Sequence, residues 1–72
     1  MPYASNADLP APVRDHLPEH AQDIYRAAFN NAWARYADRG PAEHEEIAHR
    51  IAWAAVKRRY RKLGADWSPI FS

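Results

Sequence analysis

Two long stretches of the chain repeat apolar residues at helical spacing, and proline or glycine bounds each of them. In the first, Glu19–Arg39, the residues Ala21, Ile24, Tyr25, Ala28, Phe29, Ala32, Trp33 and Tyr36 recur at intervals that fill an arc of roughly 180° on a helix, with Asp23, Arg26, Asn30 and Ala34 outside it. Pro18 suits a first helical position, and Glu19 and Asp23 place negative charge at the positive end of the helix dipole. Gly40 reads as a left-handed C-terminal stop and Pro41 as a block to continuation. In the second stretch, Ala42–Leu63, Glu43, Glu45 and Glu46 lie early and five cations lie late, the order the dipole favours. Its apolar set, Ile47, Ala48, Ile51, Ala52, Trp53, Ala54, Ala55, Val56, Tyr60 and Leu63, spans roughly 260°. One neighbouring helix cannot cover so wide an arc. The spacing therefore predicts two packed helices, with the chain ends laid over the remaining side of the second.

The smaller elements follow from the same punctuation. Pro12–Leu17 predicts one or two helical turns ended by Pro18, and Asp8–Pro10 a turn before them. Tyr3 near one end, and Trp67, Ile70 and Phe71 near the other, are too apolar for free tails; a pairing of the terminal segments as two short strands would let them cover the last helix. The expected fold is all-α in the main, a small bundle of two long helices and a short N-terminal one, with that minor strand pairing. A single domain fills the chain, its core about residues 8–64 and its termini packed on it.

Composition agrees with a folded domain and removes several kinds of chemistry. The chain has 72 residues, 47% of them apolar and 12% aromatic, enough for one hydrophobic core and too few for two. It contains no Cys, which excludes disulfides, thiolate metal sites and thiol nucleophiles. No apolar run approaches the ~20 residues of a membrane-spanning helix. The opening MPYASNADLP has no basic stretch followed by an apolar one, so a cytoplasmic location is expected.

The four histidines do not make a metal site. His44 and His49 bracket HEEIAH, one residue longer than the zinc-protease spacing, and five residues turn the second imidazole by about 140° away from the first. His49 falls on the crowded apolar side of its helix, where a neutral, hydrogen-bonded ring at the core rim competes with a pH-sensitive one. His20, in the first turn of its helix, reads as a capping or packing residue, and His16 lies just upstream of Pro18. Ser5, Ser68 and Ser72 lie in the terminal segments, away from any glycine-rich elbow. Glu43, Glu45 and Glu46 lack the alternating oxygens and glycine of a calcium loop. No catalytic residue, metal site, cofactor or small-molecule substrate is expected.

Charge is distributed more tellingly than it sums. Met1–Val56 holds five basic and eight acidic residues, a net of −3, whereas Lys57–Ser72 holds five basic residues and only Asp66, a net of +4. KRRYRK, Lys57–Lys62, is the sharpest surface feature. It reads in three ways: a solvated helix end facing the last carbonyls, a contact for a protein or membrane surface, or a grip on nucleic acid. Arg58 and Lys62 share one side of a helix and Lys57 and Arg61 another, a poor design for a single groove-facing stripe. Arg35 lies within the apolar arc of its helix, where its stem would cover the core edge and its head reach a carboxylate.

MPY at the start, then DLP, LPEHAQDIYRAAFNNAW, AHRIAWAAVKRRY and Trp67 resemble, in this order, the ChaB family, whose members are described as small bacterial or viral regulators of cation transport. The resemblance covers roughly residues 1–67 and implies a compact, mainly helical domain with a minor extended element near the termini. Its matching residues, His20, Ala21, Gln22, Tyr25, Phe29, His49, Trp53, Val56 and Tyr60, are mostly ones assigned above to packing. The segment 37–43 is shorter than in the family pattern. The resemblance implies a non-enzymatic regulatory or adaptor protein whose partner is a membrane cation/proton antiporter at its cytoplasmic face. Lys57, Arg58, Arg61 and Lys62 would supply the contact. The alternative is a small nucleic-acid-binding protein that uses the same basic end.

Overall fold

A short 3-10 turn, Asn6–Asp8, opens the fold, followed by α1 (Ala11–His16), α2 (Glu19–Arg35) and α3 (Pro41–Arg59). Two strands close it, β1 (Tyr60–Leu63) and β2 (Asp66–Pro69). The computed structural model describes residues 2–64 and 66–70; Met1, Ala65, Phe71 and Ser72 lie outside it.

Local chemistry sets most of these boundaries. Pro18 holds Leu17 in extended backbone, which ends α1, and Pro18 itself stands extended before α2 rather than as its first helical residue. The Gln22 side chain seals the joint by donating to the Leu17 carbonyl at 2.8 Å and to that of Arg14 at 3.3 Å. Pro41 begins α3, where its missing N–H costs nothing. Gly40 is extended with φ −61°, so it leads into α3 and does not act as the left-handed stop of α2. That helix ends earlier, at Arg35, and a turn over residues 36–39 connects the two.

The larger correction concerns the end of α3. Helix was expected to continue to Leu63, but it stops at Arg59 and Tyr60 turns extended, φ −133° and ψ 153°. The chain enters β1 without a connecting residue and returns antiparallel as β2, pairing Tyr60 with Pro69, Arg61 with Ser68, Lys62 with Trp67 and Leu63 with Asp66. Gly64 makes the reversal possible with φ 63°, a conformation that costs a residue with a Cβ about 1 kcal/mol. The Ile70 N–H then donates to the Arg59 carbonyl at 2.8 Å, which ties the returning strand to the helix end. Both strands come from the C-terminal segment. Tyr3 is held elsewhere: its N–H donates to Asn30 Oδ1 at 2.8 Å and its carbonyl accepts from Asn30 Nδ2 at 2.9 Å.

The core is a column of nearly every fourth residue. Leu9, Val13, Leu17, Ala21, Tyr25, Phe29 and Ala32 face Ala48, Ala52, Val56 and Tyr60. Tyr25 and Phe29 supply bulk from α2 while alanines on α3 let the axes come close, so large meets small. The wide apolar arc of α3 is covered in part by the hairpin, through Trp67 packed on Trp53 with ring centres 5.5 Å apart. Tyr3 packs on Phe29 at 4.7 Å. Ile70 remains 46% exposed, and Phe71, assigned the same covering role, lies outside the described residues.

Candidate functional site

The hairpin redistributes the basic tract. Lys57, Arg58 and Arg59 occupy the last turn of α3, at the negative end of its dipole, and Arg61 and Lys62 stand on β1. All five are exposed, whereas Tyr60 between them is buried. Strand alternation puts Arg61 and Leu63 on one face of β1 and Tyr60 and Lys62 on the other. Lys62 thus stands opposite Trp67, and Arg61 lies beside Ser68 on the same face as the half-exposed Leu63. The ion pairs among the described residues, Arg26–Asp23, His49–Glu45 and Arg50–Glu46, take in none of these five cations. Their charge is directed to solvent.

His20 joins this end of the molecule from α2. Its Nδ1 lies 3.0 Å from the Tyr60 hydroxyl, across forty positions of sequence. His20, read from the sequence as a capping or packing residue, links the beginning of α2 to the beginning of β1. Beside it His20, Ile24, Ala55, Arg58 and Arg59 line an open basin of about 410 Å³.

The other two central histidines are structural partners of aromatic rings. His49, half-buried, meets the Tyr25 hydroxyl through Nδ1, while its Nε2 faces Glu45 at 3.6 Å. Burial pushes the Tyr25 phenol far above its usual range, with Tyr3 adding to the effect, so the phenol is protonated and can donate. His44 is buried, stacks on Trp33 with ring centres 3.5 Å apart, and donates from Nε2 to the Trp33 carbonyl. The sequence set His44 and His49 together as a bracketed pair; the structure sends them to different rings. Among the described residues no group of three His, Asp or Glu side chains gathers to hold a metal ion.

Remaining candidates are dispersed. Ser5 donates to Asp8 at 3.3 Å beside the first turn, Ser68 lies in β2, and Ser72 is outside the described residues. Arg35 is exposed and lines a shallow groove with Ala28, Ala32, Tyr36 and Ile51. It makes no ion pair among the described residues, so its head does not reach the expected carboxylate. Sequence reasoning missed Asn30, Asp23 and Arg26, the polar side of α2. Asn6 donates to Asp23 at 2.6 Å and accepts from Arg26 at 2.8 Å, so together with Asn30 this side fastens the N-terminal segment.

The ChaB family model matches residues 9–69. The chain belongs to the ChaB family. A protein of Escherichia coli K12 named "Putative cation transport regulator ChaB" is 54% identical over 70 residues, 92% of each chain, and one of Shigella flexneri with the same name matches equally. A ChaB solution structure with the same designation superposes with a TM-score of 0.88 at 48% identity, over 97% of this chain and all of the other. Of the residues that carry the resemblance, Ala21, Tyr25, Phe29, Val56 and Tyr60 are buried and Gln22, His49 and Trp53 half-buried. These nine are thus mainly packing residues, and His20 is the one exposed residue among them.

Proposed function

We propose that the chain is a non-enzymatic regulatory module that acts by binding another protein, a cation antiporter at the cytoplasmic face of its membrane. The observation that carries this is the cluster of five exposed cations at the junction of α3 and β1, none of them ion-paired to a carboxylate among the described residues. The name of its ChaB relatives, "Putative cation transport regulator ChaB", supports a role in regulating cation transport, and the antiporter is our narrower reading of it. No helix among the described residues is long and apolar enough to cross a membrane, so contact with a membrane protein falls to the surface. A cationic face gives a partner orientation and a fast approach more than raw affinity, which suits a regulator that must come and go.

The test replaces Arg58, Arg61 and Lys62 with Glu. Capture of the antiporter from detergent-solubilised host membranes should be lost, while the circular dichroism melt stays within a few degrees of the parent. Unchanged capture by the folded triple variant removes the basic junction from the account. The nucleic-acid reading rests on the same five cations and makes a different forecast: affinity for duplex DNA that falls steeply with salt.

A further inference from the structure

We propose that the basin between the start of α2 and the end of α3 is a docking site for an acidic peptide segment of the partner. A carboxylate would lie between Arg58, Arg59 and His20, and an adjacent apolar side chain on Ile24 and Ala55. This builds on the protein-binding reading and adds to it the place and the chemistry of the contact.

The basin has two kinds of wall. Ile24 and Ala55 are half-buried and apolar, whereas Arg58, Arg59 and His20 are exposed and polar. Neither arginine has an internal ion-pair partner among the described residues, and Asp23, one turn from His20, is engaged by Arg26 and Asn6. Glu19, exposed on the first turn of α2, is the neighbouring carboxylate left. The hydrogen bond between Nδ1 and the Tyr60 hydroxyl holds the His20 ring and engages one of its two nitrogens, so Nε2 is the one a ligand would meet. The first turn of α2 adds positive potential: its helical hydrogen bonds begin with Gln22 N–H to the Pro18 carbonyl, and Pro18 offers no side-chain cap.

This composition selects the occupant. A guanidinium presents forked donors that match a carboxylate, and two in succession favour a segment with more than one acid. A bare anion would use only the rim and leave the apolar floor wet. A volume of about 410 Å³ accommodates one or two side chains beside the backbone that carries them. Nucleic acid has no apolar side chain to offer Ile24 and Ala55.

A fluorescein-labelled hexapeptide alternating aspartate with leucine, beside its asparagine–leucine counterpart, tests the site by anisotropy and by amide shifts of the full chain. The aspartate peptide should bind, shift His20, Ile24, Ala55, Arg58 and Arg59, and weaken with added salt; the asparagine peptide should not bind. R59E and H20Q should each weaken binding about tenfold, and R61E/K62E only about twofold despite its larger change in charge. Arg59 is exposed and makes no side-chain bond among the described residues, so R59E keeps the test open if H20Q loosens the fold. The proposal is overturned if R61E/K62E abolishes binding while R59E and H20Q bind like the parent. It is likewise overturned if the aspartate peptide does not bind, or if a DNA duplex binds more tightly and R59E leaves that unchanged. Each of these results leaves the protein-binding reading to the membrane capture experiment, which fails separately.

Discussion

His49 on α3 holds the Tyr25 hydroxyl of α2 through Nδ1 and turns Nε2 toward Glu45, four residues earlier on its own helix. One imidazole thus couples the fully buried phenol to an exposed carboxylate and bridges the two long helices at their contact. The ring is further enclosed by Phe29, with ring centres 4.7 Å apart.

Removing only the hydroxyl isolates that bond. Y25F keeps the ring and its edge contact with Trp53, but leaves Nδ1 of a half-buried histidine without its donor. The expected loss is about 1–2 kcal/mol, a drop of several degrees in the thermal midpoint by circular dichroism. An unchanged midpoint contradicts the role given to the pair.

Burial also sets a dependence on alkaline pH. The phenols of Tyr25 and Tyr3 are both raised, each by burial first and then by a neighbour, Tyr3 for the former and Glu45 for the latter. The unfolded chain therefore loses these protons at lower pH than the folded one. Their contribution to stability is complete below the ordinary phenol range near pH 10 and falls as pH rises through it. The urea midpoint should decline from about pH 9.5 upward, and Y25F should flatten that decline. An equal slope in the variant contradicts the burial argument.

His44 carries a second test. Its ring covers Trp33 and its Nε2 satisfies the Trp33 carbonyl, so H44A removes a stacked ring and leaves an acceptor unpaired. A cost of about 2–3 kcal/mol and a change in tryptophan emission are expected. A metal-ligand role would instead leave the metal-free melt largely intact.

The two long helices were legible because their cues are local: apolar spacing, flanking prolines and charge polarity need no knowledge of the rest of the fold. The end of α3 was not. Lys57–Lys62 contains nothing that breaks a helix, and Tyr60 leaves it because β1 must return through Gly64 to lay Trp67 on Trp53. That is a tertiary cause written in residues several positions away, although Gly64 followed closely by Trp67 was its visible trace. The site divided similarly. The five cations stood out by composition, while the basin that two of them, Arg58 and Arg59, share with His20 arises only when α2 and α3 lie side by side. Asn30, Asp23 and Arg26 stood only as residues outside the apolar arc, because hydrogen bonds to a distant N-terminal segment leave no periodic mark.

The two glycines should separate cleanly. G64A forces a Cβ into φ 63° and should lower stability by about 1 kcal/mol, although nothing lies within 4 Å of the added carbon. G40A meets equally open space at an ordinary φ of −61° and should stay within about 0.5 kcal/mol of the parent. Equal losses in the two melts contradict the hairpin's dependence on a left-handed residue.

The most direct measurement is the binding of the purified chain to a host cation antiporter reconstituted in nanodiscs, followed by interferometry at increasing salt. Saturable association that weakens with salt, and vanishes in the R58E/R61E/K62E variant, is the predicted result. No association with the antiporter, or association that the triple variant retains in full, contradicts the account.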